Sequence, residues 1–337
     1  MANNEHNTKD DMSDKFKNKS TLIDSLLGRV KTDEFDNYYE NIPTRVSNDI
    51  SKHKKIFHIV KKLYSIYSNI TGPFHMLPEF VVIGPGHCGT TSMFELYLRS
   101  NPNILPSKNK EIFYFDINYK KSLNWYKQFF PTIFTKFFRS LRSKKTITGE
   151  ATPNYFFHPF AAEKMKKVIP NVKIILMLRN PVNRTISNYR FHYLYGKQKL
   201  TFEKALERER ELYEGEYEKF LKSKDLEKDV DTTLSYLARS RYAEALERFL
   251  LYFDKKQILF LNSDEYFKNS IKEYNKILSF LGLPYHEPKI IGKRGISPPG
   301  LYKDSEISQT SKDSLKKYFE PWNEKLFNMI GERFDWN

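Results

Sequence analysis

An α/β fold, with a central parallel sheet and helices on both faces, is what the sequence predicts. Three observations predict it. Short apolar runs that read as buried strands recur along the chain: Phe80-Val81-Val82-Ile83, Thr146 to Gly149, Val172 to Leu178 and Gln257 to Leu261. Helical patterns separate these runs. The first run ends in a glycine-rich loop that opens a helix, and a helix N-terminus of that kind attracts anions.

Taken in order, the 337 residues fit one large domain with a leading tail. Residues 1–55 are rich in Asp, Asn, Lys and Ser and read as a disordered or loosely attached tail. Residues 56–78 form the lead-in, where Ile56, Ile59, Val60, Leu63 and Tyr67 share one face of an amphipathic helix. The globular domain spans residues 79–337. Its helical patterns run over residues 91–99, 161–168, 182–194, 201–221, 236–252, 271–281 and 311–330. The stretch from Leu200 to Asp231 is highly charged and reads as a solvated helix pair or as a lid.

Hydrophobic residues make up 39% of the chain, enough for a sizeable core, and the formal net charge is +15. That charge fits an anionic partner, and equally a lysine-rich composition without one. No recognised motif points to a specific nucleic acid. The single cysteine, Cys88, excludes an intrachain disulfide and a cysteine zinc cluster, which suits a reducing compartment. The first residues carry no apolar run of signal type, and Ile56 to Ile70 is interrupted by Lys61, Lys62 and Ser65. The expectation is a soluble, cytoplasmic protein with no membrane span.

The loop reads Gly84-Pro85-Gly86-His87-Cys88-Gly89-Thr90-Thr91-Ser92. Small residues let backbone amides approach an anion, and the hydroxyls of Thr90, Thr91 and Ser92 can donate to phosphate oxygens. A nucleoside-triphosphate loop reads G-x-x-x-x-G-K-[ST]. Gly84 and Gly89 match it, but the lysine position holds Thr90, which disfavours ATP or GTP chemistry. After the strongest strand comes Arg179-Asn180-Pro181-Val182-Asn183-Arg184-Thr185-Ile186-Ser187, with Arg179 at the strand end, where open sheets bind ligands.

These two segments resemble the sulfotransferase family, whose members carry G-x-x-K-x-G-T-T-S/A and then R-x-P-x-x-R-x-x-S. The resemblance covers about Phe80 to Trp336 and implies a P-loop-like sulfotransferase fold. It implies PAPS (3′-phosphoadenosine 5′-phosphosulfate) as donor, with no metal. Gly86, His87, Cys88, Gly89, Thr90, Thr91 and Ser92 would hold its phosphosulfate end, and Arg179 and Ser187 its 3′-phosphate. His87 stands where the family has lysine, so a protonated histidine would stabilise the leaving oxygen.

On the acceptor side, Lys110-Glu111-Ile112-Phe113-Tyr114-Phe115-Asp116 resembles the family's K-E-x-x-F-F-D, which makes Glu111 the general base. Gly149-Glu150-Ala151-Thr152-Pro153-Asn154-Tyr155 resembles G-E-x-T-P-x-Y. There Glu150 either orients the acceptor or satisfies nearby cations. Arg239 and Tyr242 fit an element beside the donor, and Lys293 and Arg294 fit a nucleotide-clamping loop. The expected reaction is sulfuryl transfer to a hydroxyl or amine acceptor, with an anionic glycan among the candidates. Two alternatives stay open: a nucleotide kinase on the same scaffold, and a weakly catalytic protein that binds PAP or polyanions.

Overall fold

The computed structural model describes residues 66–67, 69–141, 145–211, 235–288, 292 and 307–336. The chain divides into two units, Met1–Gly72 and Pro73–Asn337. In the first, Ile66, Tyr67 and residues 69–71 are helical. The expected tail, most of the lead-in helix and Lys293 and Arg294 lie outside the described residues. So does most of the charged stretch, of which residues 202–211 are helical.

Five strands form one sheet: β1 (Phe80–Ile83), β2 (Ile104–Pro106), β3 (Ile147–Ala151), β4 (Lys173–Leu178) and β5 (Ile258–Asn262). Their order is β2-β3-β1-β4-β5, and every pairing is parallel. Four are the strands expected from the apolar runs. The fifth, β2, is only Ile-Leu-Pro at the sheet edge, too short and too proline-bound to announce itself.

The helices are α1 (Thr90–Ser92, continued by wider π-type turns over Met93–Leu98), α2 (Leu123–Lys127), α3 (Ile133–Ser140), α4 (Ala161–Val168), α5 (Pro181–Leu194), α6 (Tyr242–Leu250), α7 (Ser263–Lys268), α8 (Ser270–Leu281) and α9 (Gln309–Ile330). Local chemistry sets their starts. Asn180 Oδ1 accepts from the amides of Val182 and Asn183, and Pro181 supplies a preset first residue for α5. Ser308 and Thr132 cap α9 and α3 in the same way.

Alternation along β1 divides the core. Val81 and Ile83, with Ile174, Leu176 and Leu178 of β4, pack toward α4, α6 and α9. Phe80 and Val82, with Ile175 and Met177, pack toward α1 and α8. Both faces are therefore covered, as an all-parallel sheet requires. The carboxyl ends of β1, β3 and β4 meet along one edge, where the site lies.

Candidate active site

The loop after β1 is pressed against β4. A Cβ on Gly84, whose φ is +146°, would stand 2.5 Å from the carbonyl oxygen of Met177. At Gly89 (φ +90°) a Cβ would stand 2.6 Å from the Phe267 ring. Only glycine meets both demands at these two positions. Gly86 differs: a Cβ there would find no atom within 4 Å, so this part of the loop fronts an open cleft. Between them His87 adopts φ 72°, a left-handed conformation seldom taken by residues with a side chain. Thr90 and Ser92 are buried at the start of α1, and Thr91 is half-buried.

Two arginines from the β4–α5 segment bind the loop from behind. Arg179 donates from Nη1 to the His87 carbonyl at 3.1 Å, and its own carbonyl accepts from the Tyr242 hydroxyl at 2.9 Å. Arg184 is only 1% exposed. Its Nε donates to the Gly86 carbonyl at 3.2 Å, while Nη1 donates to the Tyr236 carbonyl at 3.0 Å and to Ser240 Oγ at 3.1 Å. Buried Glu209 completes the support: its carboxylate accepts from the amides of Tyr236, Leu237 and Ala238 at 2.8–2.9 Å. Thus Glu209 fixes the turn that fixes Arg184, and Arg184 fixes the loop. Ser187 lies half-buried on α5, one turn beyond Arg184. Arg239 lays its guanidinium over the Phe157 ring at 4.8 Å.

The electrostatics of the loop follow from this arrangement. Desolvation, then the charges of Arg184, His192 and Arg179, pushes the His87 imidazole down to about 3, against the opposing effect of a hydrogen bond with Asn188. His87 is therefore neutral in the free protein, where it can still donate one N–H. Its ring lies edge-on to Phe191 at 5.3 Å. The Cys88 side chain is fully buried, and burial pushes its thiol up to about 12. Cys88 can serve an anion through its backbone only.

Across the cleft, the Glu111 amide donates to the Ala151 carbonyl at 2.8 Å, which seats Glu111 at the carboxyl end of β3, beside β1. Glu111 has φ 63°, and its Oε1 is 2.5 Å from Lys110 Nζ. Two hydrogen-bond relays hold this segment to one carboxylate. The Ile112 amide donates to Thr152 Oγ1 at 3.2 Å, and Thr152 Oγ1 donates to Glu150 Oε2 at 2.6 Å. The Tyr114 amide donates to the Tyr155 hydroxyl at 2.8 Å, which donates to Glu150 Oε1 at 3.4 Å. The Tyr126 hydroxyl also donates to Glu150 Oε1. Glu150 is fully buried, and desolvation raises it to about 7 despite its three donors. Nearby Asp116, which accepts from Asn154 Nδ2 and the Ile117 amide at 2.8 Å each, is raised by burial to about 6.

The structure thus gathers Gly86 to Ser92, Arg179, Tyr242, Glu111 and Glu150 along the carboxyl edge of three adjacent strands. The roles of Glu209 and Tyr126 have no signal in the sequence, because each depends on a long-range contact. Arg184 could have been suspected, since the pattern that carries Arg179 includes it.

Fold and cleft together define a P-loop-like α/β protein whose anion loop lacks the triphosphate lysine. The sequence profile of the sulfotransferase domain family matches residues 77–318. The chain belongs to that family, and its reaction class is sulfuryl transfer. Membrane-associated sulfotransferase kil1 of Dictyostelium discoideum is 26% identical over 332 residues, covering 79% of this chain and 68% of that protein. Human heparan sulfate glucosamine 3-O-sulfotransferase 3B1 is 26% identical over 286 residues, covering 77% of this chain. This chain spans 65% of the length of the human protein. Among solved structures, the sulfotransferase from Alicyclobacillus acidocaldarius matches 77% of this chain and 99% of its own with a TM-score of 0.57 at 22% identity, a likeness of fold.

Proposed function

We propose that this protein transfers a sulfuryl group from PAPS to a saccharide hydroxyl. The observation that carries the reading is the bond from Arg179 to the His87 carbonyl, which joins a 3′-phosphate anchor to the 5′ loop. Arg179 and Ser187 hold the 3′-phosphate, and arginine suits it through forked hydrogen bonds. The loop amides from Gly86 to Gly89, with Thr90, Thr91 and Ser92, hold the phosphosulfate. Tyr242 steadies Arg179 through its carbonyl.

In the reaction, Glu111 Oε2 takes the proton of the acceptor hydroxyl while that oxygen attacks sulfur. The sulfur–oxygen bond to the 5′-phosphate breaks in line, and PAP leaves with the bonding electrons. His87 donates an N–H to that departing oxygen. Positioning and electrostatics supply most of the acceleration. A saccharide acceptor is supported by the names of the heparan sulfate relatives and by the net charge of +15, which favours a polyanion. Among the described residues no helix is long and apolar enough to cross a membrane. Cytoplasmic residence is supported by the lone, buried Cys88.

The test is calorimetric binding of PAP against ADP, on the wild type and on Arg179→Ala, followed by transfer of labelled sulfate to heparan-type oligosaccharides. PAP binding that ADP cannot match, lost in Arg179→Ala and followed by labelled product, supports the reading. PAP binding without transfer to any acceptor would leave a PAP- or polyanion-binding protein. Equal binding of ADP would favour the kinase alternative.

A further inference from the structure

Helix α3 is amphipathic in the wrong direction for a soluble domain. Ile133, Phe134, Phe137 and Phe138, with Leu141 just past its end, fall on one stripe, and they are 50–69% exposed. Phe74 extends the stripe, 48% exposed, with its ring 6.1 Å from that of Phe134. No residue of α3 is buried. By contrast α6, of similar length, buries Tyr242, Ala243, Ala245, Leu246 and Phe249. The polar side of α3 is the side turned to the domain: Lys136 Nζ reaches Glu79 Oε2 at 3.0 Å.

This presentation is held in place rather than left to chance. Thr132 caps the helix by accepting from the Thr135 amide at 3.1 Å. Thr132 also bridges to His75, the Met76 amide donates to the Pro131 carbonyl at 3.0 Å, and His75 Nδ1 lies 2.6 Å from the Phe130 carbonyl. A contiguous aromatic patch of this size on a well-anchored element marks a contact surface.

The charge around the patch selects the partner. Lys127, whose Nζ reaches the Pro73 carbonyl at 3.2 Å beside Phe74, Lys136, which pairs with Glu79, and Arg139 in the last turn of α3 give the patch a basic border. With a chain charge of +15, a second copy would be repelled, whereas an anionic surface would be attracted. Phenylalanines flanked by basic side chains are the composition that enters the headgroup layer of an acidic bilayer. We infer that α3 and Phe74 form a peripheral docking face for a bilayer surface rich in anionic lipid. Glu79 precedes the first residue of β1, and its carboxylate accepts from the Thr148 amide at 3.2 Å, so the face lies at the amino edge of the sheet. The docked protein turns its active cleft, at the carboxyl edge, away from the lipid.

The test uses the full chain in co-sedimentation with phosphatidylcholine vesicles, with and without roughly one third phosphatidylserine. Expected is binding to the acidic vesicles that falls with salt and weakens about tenfold or more in Phe137→Ser/Phe138→Ser. Because these side chains are exposed, the melting temperature and PAP affinity of the variant should stay at wild-type values, which separates this result from any failure of the sulfotransferase reading. Absence of vesicle binding overturns the inference. So does binding that the double variant retains in full, which would reduce it to diffuse basic charge. Sedimentation showing a dimer that the double variant dissolves would assign the face to a second copy and overturn it as well.

Discussion

Arg184 Nε donates to the carbonyl of Gly86 at 3.2 Å, from a side chain almost wholly removed from solvent. Burial lowers the arginine's proton affinity, but the guanidinium stays charged, and nearby Glu209 offsets part of that charge. The loop is thus fixed by a cation that cannot itself touch the donor without leaving its place. Arg184→Ala should lower stability by about 2–4 kcal/mol, since it orphans buried carbonyls and leaves a cavity. Arg179→Ala should leave the melting temperature nearly unchanged and weaken PAP binding by about 10- to 100-fold. Thermal melts and calorimetry on the two variants read the contrast; equal melting temperatures would remove the structural role given to Arg184.

The glycines of the loop separate fold from ligand. Gly84→Ala drives a Cβ into the backbone of Met177 at a left-handed φ and should strongly destabilise the protein. Gly86→Ala meets no atom within 4 Å, so the variant should fold like wild type. If the donor occupies the space before Gly86, that variant still binds PAP about tenfold or more weakly, because a methyl intrudes on the closest backbone approach. Wild-type PAP affinity in Gly86→Ala would place the phosphates elsewhere.

His87 is held near pKa 3 chiefly by desolvation, well below the ordinary 6.5, with the arginines adding to the effect. A bound phosphosulfate opposes both causes and raises it. PAP binding at acidic pH above about 3 should therefore take up a proton in wild type and not in His87→Gln, measurable as a dependence of binding enthalpy on buffer ionisation. His87→Ala should cut kcat by about 100-fold with a smaller change in KM, as expected for a donor that acts on charge developing at the leaving oxygen.

Much of this site is legible in the sequence, and the reason is local. The loop and the Arg179 segment each sit within one strand–turn–helix, so each forms a short local motif whose resemblance to the family points to its residues. The buried apolar quartet of β1 and the run of β4 announce the sheet because both faces are covered. What stays hidden depends on tertiary contacts. Tyr126 meets Glu150, and Glu209 meets the turn at Ala238, across separations that no periodicity records. The apolar stripe of α3 has a helical period, but its outward orientation is set by tertiary contacts; β2 escapes because a three-residue edge strand has too little pattern. The contact of Arg239 with the Phe157 ring is likewise a packing outcome.

Glu150 gives a prediction with a definite sign. Its pKa rises from 4.5 unfolded to about 7 folded, mainly by desolvation, so the folded state binds the proton more tightly. The associated stability is fully present below about pH 4.5 and is lost as pH rises through about 7. Glu150→Gln should flatten that part of the stability–pH curve. It should also lower kcat more than KM rises, because the amide replaces one of the two acceptor oxygens with a donor and so breaks either the Thr152 or the Tyr155 relay that holds the segment carrying Glu111. Urea titrations across this pH range, with steady-state kinetics, test both; a slope unchanged in Glu150→Gln would refute the assignment.

The strand order has a consequence for how the chain comes into being. β1 lies at the centre of the sheet, yet both of its neighbours, β3 and β4, are encoded far downstream, with Phe80 pairing to Gly149 on one side and Lys173 on the other. During synthesis, β1 emerges first, finds no neighbour until β3 has cleared the ribosome, and lacks its second neighbour until Leu178 has done so. Nascent chains stalled before that point should be aggregation-prone clients of chaperones, and refolding in vitro should be slow for reasons of topology alone.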